Sequence, residues 1–187
     1  MDLLDLFDRA TAWTATKVAG AQGQLDADTP CREWSVRTLM DHLLWGQRMF
    51  ASGPSGGTIA PPSGPPPSLI GDDPAAEYED ARKVTLHAYS QPGVLEGMVK
   101  GSDGDRPAAQ MLGIAFCDQL VHGWDLAKAT GQDTTMPAGL ASAAFMMLNG
   151  RVPDDARGPG KNFMPAIAVA DDASDQDKLI AYCGRQP

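Results

Sequence analysis

Apolar residues recur at intervals of three and four along most of the chain, separated by polar or proline-rich stretches. From residue 2 to about 25, Leu3, Leu6, Phe7, Ala10, Trp13 and Thr14 form one stripe, the periodicity of a helix with one buried face. Ser35 offers its hydroxyl as N-cap to a second helix, SVRTLMDHLLWGQRMFAS,. Its inward stripe is Val36, Leu39, Leu43, Met49 and Phe50, with His42 within or beside it. Asp73 caps a third helix, with Pro74 at its first position, that runs to about Tyr89 and stops before Pro92-Gly93,. A fourth begins at Pro107 and closes at Gly131, placed as a left-handed cap,. Pro137 opens a fifth, through AGLASAAFMMLN to Gly150. Ser174, with Asp177 three residues on, resembles the capping box of a last helix,.

The connections are long. Residues 52–72 are rich in Pro, Gly and Ser and read as a surface loop rather than a domain boundary,. VLEGMVKG reads as a short extended segment, GSDGDR as a loop, and the tail as a glycine-rich loop (RGPGKNF) followed by an extended piece at 167–169. There are no heptads or internal repeats. The pattern predicts an all-α chain, a single domain over 1–187 built as a helical bundle with long connecting loops. Residues 151–187 are read as a small C-terminal extension.

Composition narrows this. At 187 residues, 43% apolar and 21% charged, the chain is long enough to bury a core,. A net charge of −9 leaves no basic stripe for phosphates, so a nucleic-acid partner is not expected,. The start, MDLLDLFDR, is acidic where a signal peptide needs positive charge, and no apolar run approaches a membrane span,. Cys31, Cys117 and Cys183 are odd in number and lack any CxxC pairing, which fits a reducing cytoplasm,. Cys31 is read as a structural or incidental thiol.

The fourth helix carries FCDQLVHGWDLAKATG, residues 116–131, in which Asp118 and His122 stand four apart on one side,. Met111, Ile114 and Ala115 lie upstream on that side. A carboxylate carried into apolar surroundings is costly unless compensated, and a metal ion is one compensator. Acid and imidazole one helical turn apart can reach a single ion, as the two histidines of HExxH do. A tight site needs a third ligand from another helix, and His42 is the best candidate. Three protein ligands leave a coordination position open. The alternatives are an Arg or Lys partner for Asp118 and a surface pair of His122 with Asp125. His87 has no carboxylate at ligand spacing and is left outside. Trp13, Trp34, Trp45 and Trp124 read as core or loop anchors, with Trp45 and Trp124 as candidate borders of a pocket.

Three segments together, TPCREWSVRTLMDHLLWG, DQLVHGWDLAKATG and DQDKLIAYCGRQP, resemble the DinB-like metal-binding proteins of actinobacteria. The likeness is closer to those related to the N-terminal domain of mycothiol-dependent maleylpyruvate isomerase. It covers nearly the whole chain, and the segments are specific in combination. The resemblance implies an up-down-down-up four-helix bundle whose metal ligands fall on His42, Asp118 and His122. The isomerase resembled has Glu where this chain has Asp118, one methylene shorter, and it carries a second domain not seen here.

The resemblance further implies a divalent cofactor, zinc first, with nickel and iron as alternatives. A low-molecular-weight thiol such as mycothiol would be the cosubstrate, activated as a thiolate for S-transfer to, or isomerisation of, a small electrophilic substrate. Asp125 would orient a ligand from behind. Catalytic residues beyond the metal ligands stay unassigned. Two His and one carboxylate also form the facial triad of non-haem iron oxygenases. The non-enzymatic alternative is a protein of the same fold, homodimeric in one version, that binds a metal or small ligand without turnover.

Overall fold

The computed structural model describes residues 2–60, 64–161 and 163–187. They form six α-helices: α1 (Leu3–Ala21), α2 (Val36–Ser52), α3 (Pro74–Tyr89), α4 (Ala108–Ala129), α5 (Leu140–Leu148) and α6 (Asp175–Tyr182). Three short strands accompany them: β1 (Thr58–Ile59), β2 (Met98–Gly101) and β3 (Gly104–Pro107). No helix among the described residues is long and apolar enough to cross a membrane.

Local chemistry explains where most helices begin. Asp2, Ser35, Asp73 and Ser174 each accept a hydrogen bond from a backbone N–H in the first turn that follows. Each such cap contributes about 1 kcal/mol. Gly131 (φ 67°) follows α4 in the left-handed region, as its position suggests,. The fifth helix departs from expectation. It starts at Leu140, not Pro137, because Gly139 turns the chain through φ 83° immediately before it.

The chain divides into two compact units, Met1–Thr134 and Thr135–Pro187. In the first, α1 packs on α3 and α4, and α2 packs on the same two helices. Val18, Leu39, Leu43, Tyr78 and Leu126 bring all four into one apolar cluster. The expected inward stripes hold at most positions, although Leu3, Trp13, Met49, Met111 and Ala129 are only half-buried and Ile114 is exposed. In the second unit α5 and α6 pack together. The tail at 167–169 joins no strand there, although Ile167 N–H donates to the Ala181 carbonyl (2.9 Å).

A strictly all-α chain is not what forms. β2 and β3 make an antiparallel hairpin, Val99 opposite Arg106, and β1 pairs with β2 in parallel. The segment read as a loop, GSDGDR, therefore supplies the turn and most of β3. Residues of β3 are exposed throughout, so no apolar alternation betrays them,. Part of the 52–72 stretch is also structured, with a 3-10 turn at Gly53–Ser55 followed by β1. Residues 61–63 of that stretch, and Asn162 in the tail loop, lie outside the described residues. Its far end is pinned to α2, where buried Asp41 accepts the backbone N–H groups of Leu69 (2.6 Å) and Ile70 (2.8 Å).

The α1–α4 seam is tight because Gly123 has no side chain. A Cβ there would press into Thr14 and stand 2.9 Å from Trp13 Cζ3. Gly123→Ala is expected to destabilise the protein by about 1–3 kcal/mol. In urea unfolding this lowers the midpoint without changing the slope.

Candidate metal centre

Two helices build the site. On α4, Asp118 and His122 stand one turn apart, and α2 brings His42 against them. His42 Nε2 lies 3.3 Å from Asp118 Oδ1, and His122 Nε2 lies 3.6 Å from the same oxygen. The two imidazole rings meet edge to face, centroids 4.8 Å apart. Among the described residues the ion pairs of Asp118 are with these histidines, not with an arginine or lysine. Its side chain keeps 26% exposure, about twice that of either histidine, so the cluster has one open side.

The His42–Asp118 contact is a long hydrogen bond whose length also suits two ligands of one ion. Nitrogen and oxygen ligands about 2.0–2.1 Å from a tetrahedral zinc ion stand about 3.3–3.5 Å from one another. The two contacts to Oδ1 approach that edge length and exceed the preferred N–H···O distance of about 2.9 Å. By contrast, His122 Nδ1 donates to Asp125 Oδ2 at 2.9 Å, an ordinary strong hydrogen bond. These donors, borderline in softness and disposed around one oxygen, fit a divalent ion such as zinc.

Burial by itself pushes the Asp118 carboxyl up. The charges of His42 and His122, with hydrogen bonds from His42 and Gln119, outweigh it and hold the group at about 2. Asp118 is thus an anion at neutral pH.

The two histidines are oriented by different means. Asp125 is fully buried and accepts a hydrogen bond from His122 Nδ1, which holds the ring with Nε2 toward Asp118,. The expected surface pair of His122 and Asp125 is therefore an interior one. His42 Nδ1 is buried with no hydrogen-bond partner among the described residues. Packing orients its ring instead, with Trp34 at 4.8 Å and Trp45 at 6.3 Å between centroids. Trp34 also lies 5.9 Å from the His122 ring. Trp124 is buried with Lys128 over its face, and His87 is exposed beside Gln91.

Cys31 joins the far side of the site. Its thiol donates to Asp125 Oδ2 at 3.3 Å and lies 3.7 Å from His122 Nδ1. Cys31, His122 and Asp125 form a second group with ligand atoms within 4.8 Å of one another. The short His122–Asp125 contact marks that group as a hydrogen-bonded support behind His122 rather than an ion cage. The reading of Cys31 as a structural or incidental thiol named no partner for it, and its partners are Asp125 and His122. The signal available was its place in the TPCREW segment just ahead of α2.

Two uncharacterized proteins of Mycobacterium tuberculosis, MT0763 (strain CDC 1551 / Oshkosh) and Rv0738 (strain ATCC 25618 / H37Rv), are each 31% identical over 189 aligned positions. The alignments span 99% of this chain and 98% of each relative. No solved structure matches the chain. The family model for the mycothiol maleylpyruvate isomerase N-terminal domain matches residues 7–127, which include His42, Asp118, His122, Cys31 and Asp125. The chain belongs to that family, within the DinB-like proteins.

Proposed function

We propose that this chain is a divalent-metal protein of the thiol-using kind, with His42, Asp118 and His122 as its protein ligands. The observation that carries the reading is the approach of two imidazole nitrogens, from two helices, to one carboxylate oxygen at 3.3 and 3.6 Å. Zinc suits the donor set best. When bound, the metal supplies a Lewis acid that lowers the pKa of a small thiol and presents it as a nucleophilic thiolate.

The remaining work falls to the chain. His42 and His122 present their Nε2 atoms, and Asp118 supplies one negative charge. Asp125 keeps the His122 proton on Nδ1, and Cys31 donates to the same carboxylate. Trp34 covers both rings and keeps water from that side. The open side beside Asp118 receives the thiol, mycothiol by family relation, and then a small electrophile for S-transfer or isomerisation. The scaffold we propose is the up-down-down-up DinB bundle, supported by paired contacts along the helices. Thr14 meets Gln119 and Lys17 meets Gln132, as for α1 and α4 running together. His42 meets His122 while Gly46 faces Asp118, as for α2 opposed to α4. Asp41 meets Ile70 and Gln47 meets Thr85, as for α2 and α3 running together.

Elemental analysis of gently purified or reloaded protein is expected to give one equivalent of divalent metal. His42→Ala, Asp118→Ala and His122→Ala should each lose it. Asp125→Asn should still load at saturation but with affinity reduced about 10- to 100-fold. Wild-type protein without stoichiometric metal contradicts the reading.

A second experiment separates enzyme from binding protein. Metal-loaded protein and thiol together should consume an electrophilic substrate, and omission of either should abolish turnover. Metal and thiol binding without turnover of any electrophile tried supports the binding-only alternative.

A further inference from the structure

Behind the site lies a polar assembly that the ligand set alone does not require. Gln119, next to Asp118 in sequence, is fully buried, as are Gln47 and Tyr78 apart from a trace of surface. Gln119 Nε2 donates to Asp118 Oδ2 (3.3 Å) and to the Leu43 carbonyl (3.3 Å). Its amide oxygen accepts from the Tyr78 hydroxyl (2.7 Å) and from Gln47 Nε2 (3.2 Å). Gln47 Nε2 also donates to the Tyr78 oxygen (3.3 Å), and Thr14 donates to the Gln119 backbone carbonyl (3.0 Å).

The direction of this chain is forced. A carboxylate and a backbone carbonyl can only accept, so the Gln119 group facing them is its amide nitrogen. The amide oxygen then faces Tyr78 and Gln47, which must donate to it. Tyr78 is buried so deeply that its hydroxyl is held above its ordinary pKa and keeps the proton it gives to Gln119. The partners come from three other helices: Thr14 from α1, Gln47 and Leu43 from α2, Tyr78 from α3.

Gly46 supplies an independent sign that this geometry is accommodated. A Cβ at that position of α2 would stand 3.0 Å from Gln119 Nε2 and 3.7 Å from Asp118 Oδ2. Any side chain larger than hydrogen would push on the amide where it meets the carboxylate.

The two oxygens of Asp118 are thereby given different work. Oδ1 faces the two histidine nitrogens, and Oδ2 is engaged from behind by Gln119. We propose that Gln119, locked by Tyr78 and Gln47, is a positioning residue that makes Asp118 a one-oxygen metal ligand and keeps the remaining coordination position free for the incoming donor. This rests on the metal reading above and adds to it the denticity of the acid and the residues that set it. Without the Gln119 amide, Oδ2 is free to turn onto the ion and compete for the place the thiol needs.

Cobalt-loaded protein provides the test, because the visible absorption of cobalt(II) weakens as its coordination number rises. Gln119→Met is expected to bind cobalt about 10- to 100-fold more weakly. The bound form should absorb less intensely than wild type. Tyr78→Phe does not touch Asp118, yet should shift the spectrum in the same direction by a smaller amount. Gly46→Ala should do likewise by displacing the amide. If Gln119→Met does not fold by circular dichroism, Tyr78→Phe and Gly46→Ala carry the test. A merely structural network would lower the melting temperature and leave affinity and spectrum at wild-type values, which overturns the proposal. If wild-type protein binds no cobalt, the metal reading fails with it. If the ion binds but ignores all three substitutions, only the positioning role fails.

Discussion

A carboxylate set between two packed helices must be compensated, and much of the first unit can be read as the compensation for Asp118. Its anionic form persists at neutral pH because two imidazoles and an amide surround it from α2 and α4. Burial opposes that charge, and an unpaired interior carboxylate would cost several kcal/mol. Docking takes water from the carboxylate and at the same time brings His42, 76 positions away, to join the local partners Gln119 and His122. The same docking places the apolar cluster of Val18, Leu39, Leu43, Tyr78 and Leu126. Core and site are thus assembled by one set of helix contacts.

The site is asymmetric in how it is held. His122 is gripped through Nδ1 by a buried carboxylate that also takes a thiol proton from Cys31. His42 Nδ1 has no such partner among the described residues, and the ring is held by its Nε2 contact to Asp118 and by packing against Trp34 and Trp45. The α4 half of the site is therefore fixed by hydrogen bonds, and the α2 half by that contact and packing together. Asp118 retains the exposure on the open side of the cluster. The short side chain of Asp118 limits its reach, and the Gln119 amide behind it holds Oδ2.

Much of the helical frame was legible because its signals are local. Ser35 and Asp73 cap the turns that follow them, and the three-four periodicity of α1 and α2 names the buried face directly. The acid and imidazole on α4 were visible as a pair because they share one helix. What was hidden depends on long-range contact or on absent periodicity. Cys31 meets Asp125 across 94 positions, and no spacing rule connects a loop thiol to a helix so far along the chain. Gln119 adjoins Asp118 in sequence, yet its part depends on Gln47, Tyr78 and Gly46 from two other helices. The hairpin escaped because β3 is exposed on every residue. The start of α5 escaped because Gly139, rather than Pro137, sets it.

X-ray absorption at the edge of the loaded metal, with and without thiol, tests the central claim most directly. The account predicts a low-coordinate first shell of imidazole nitrogen and carboxylate oxygen at about 2.0–2.2 Å, joined on thiol addition by a sulfur at about 2.3 Å. A shell of oxygen alone with no imidazole scattering, unchanged by thiol, would contradict it.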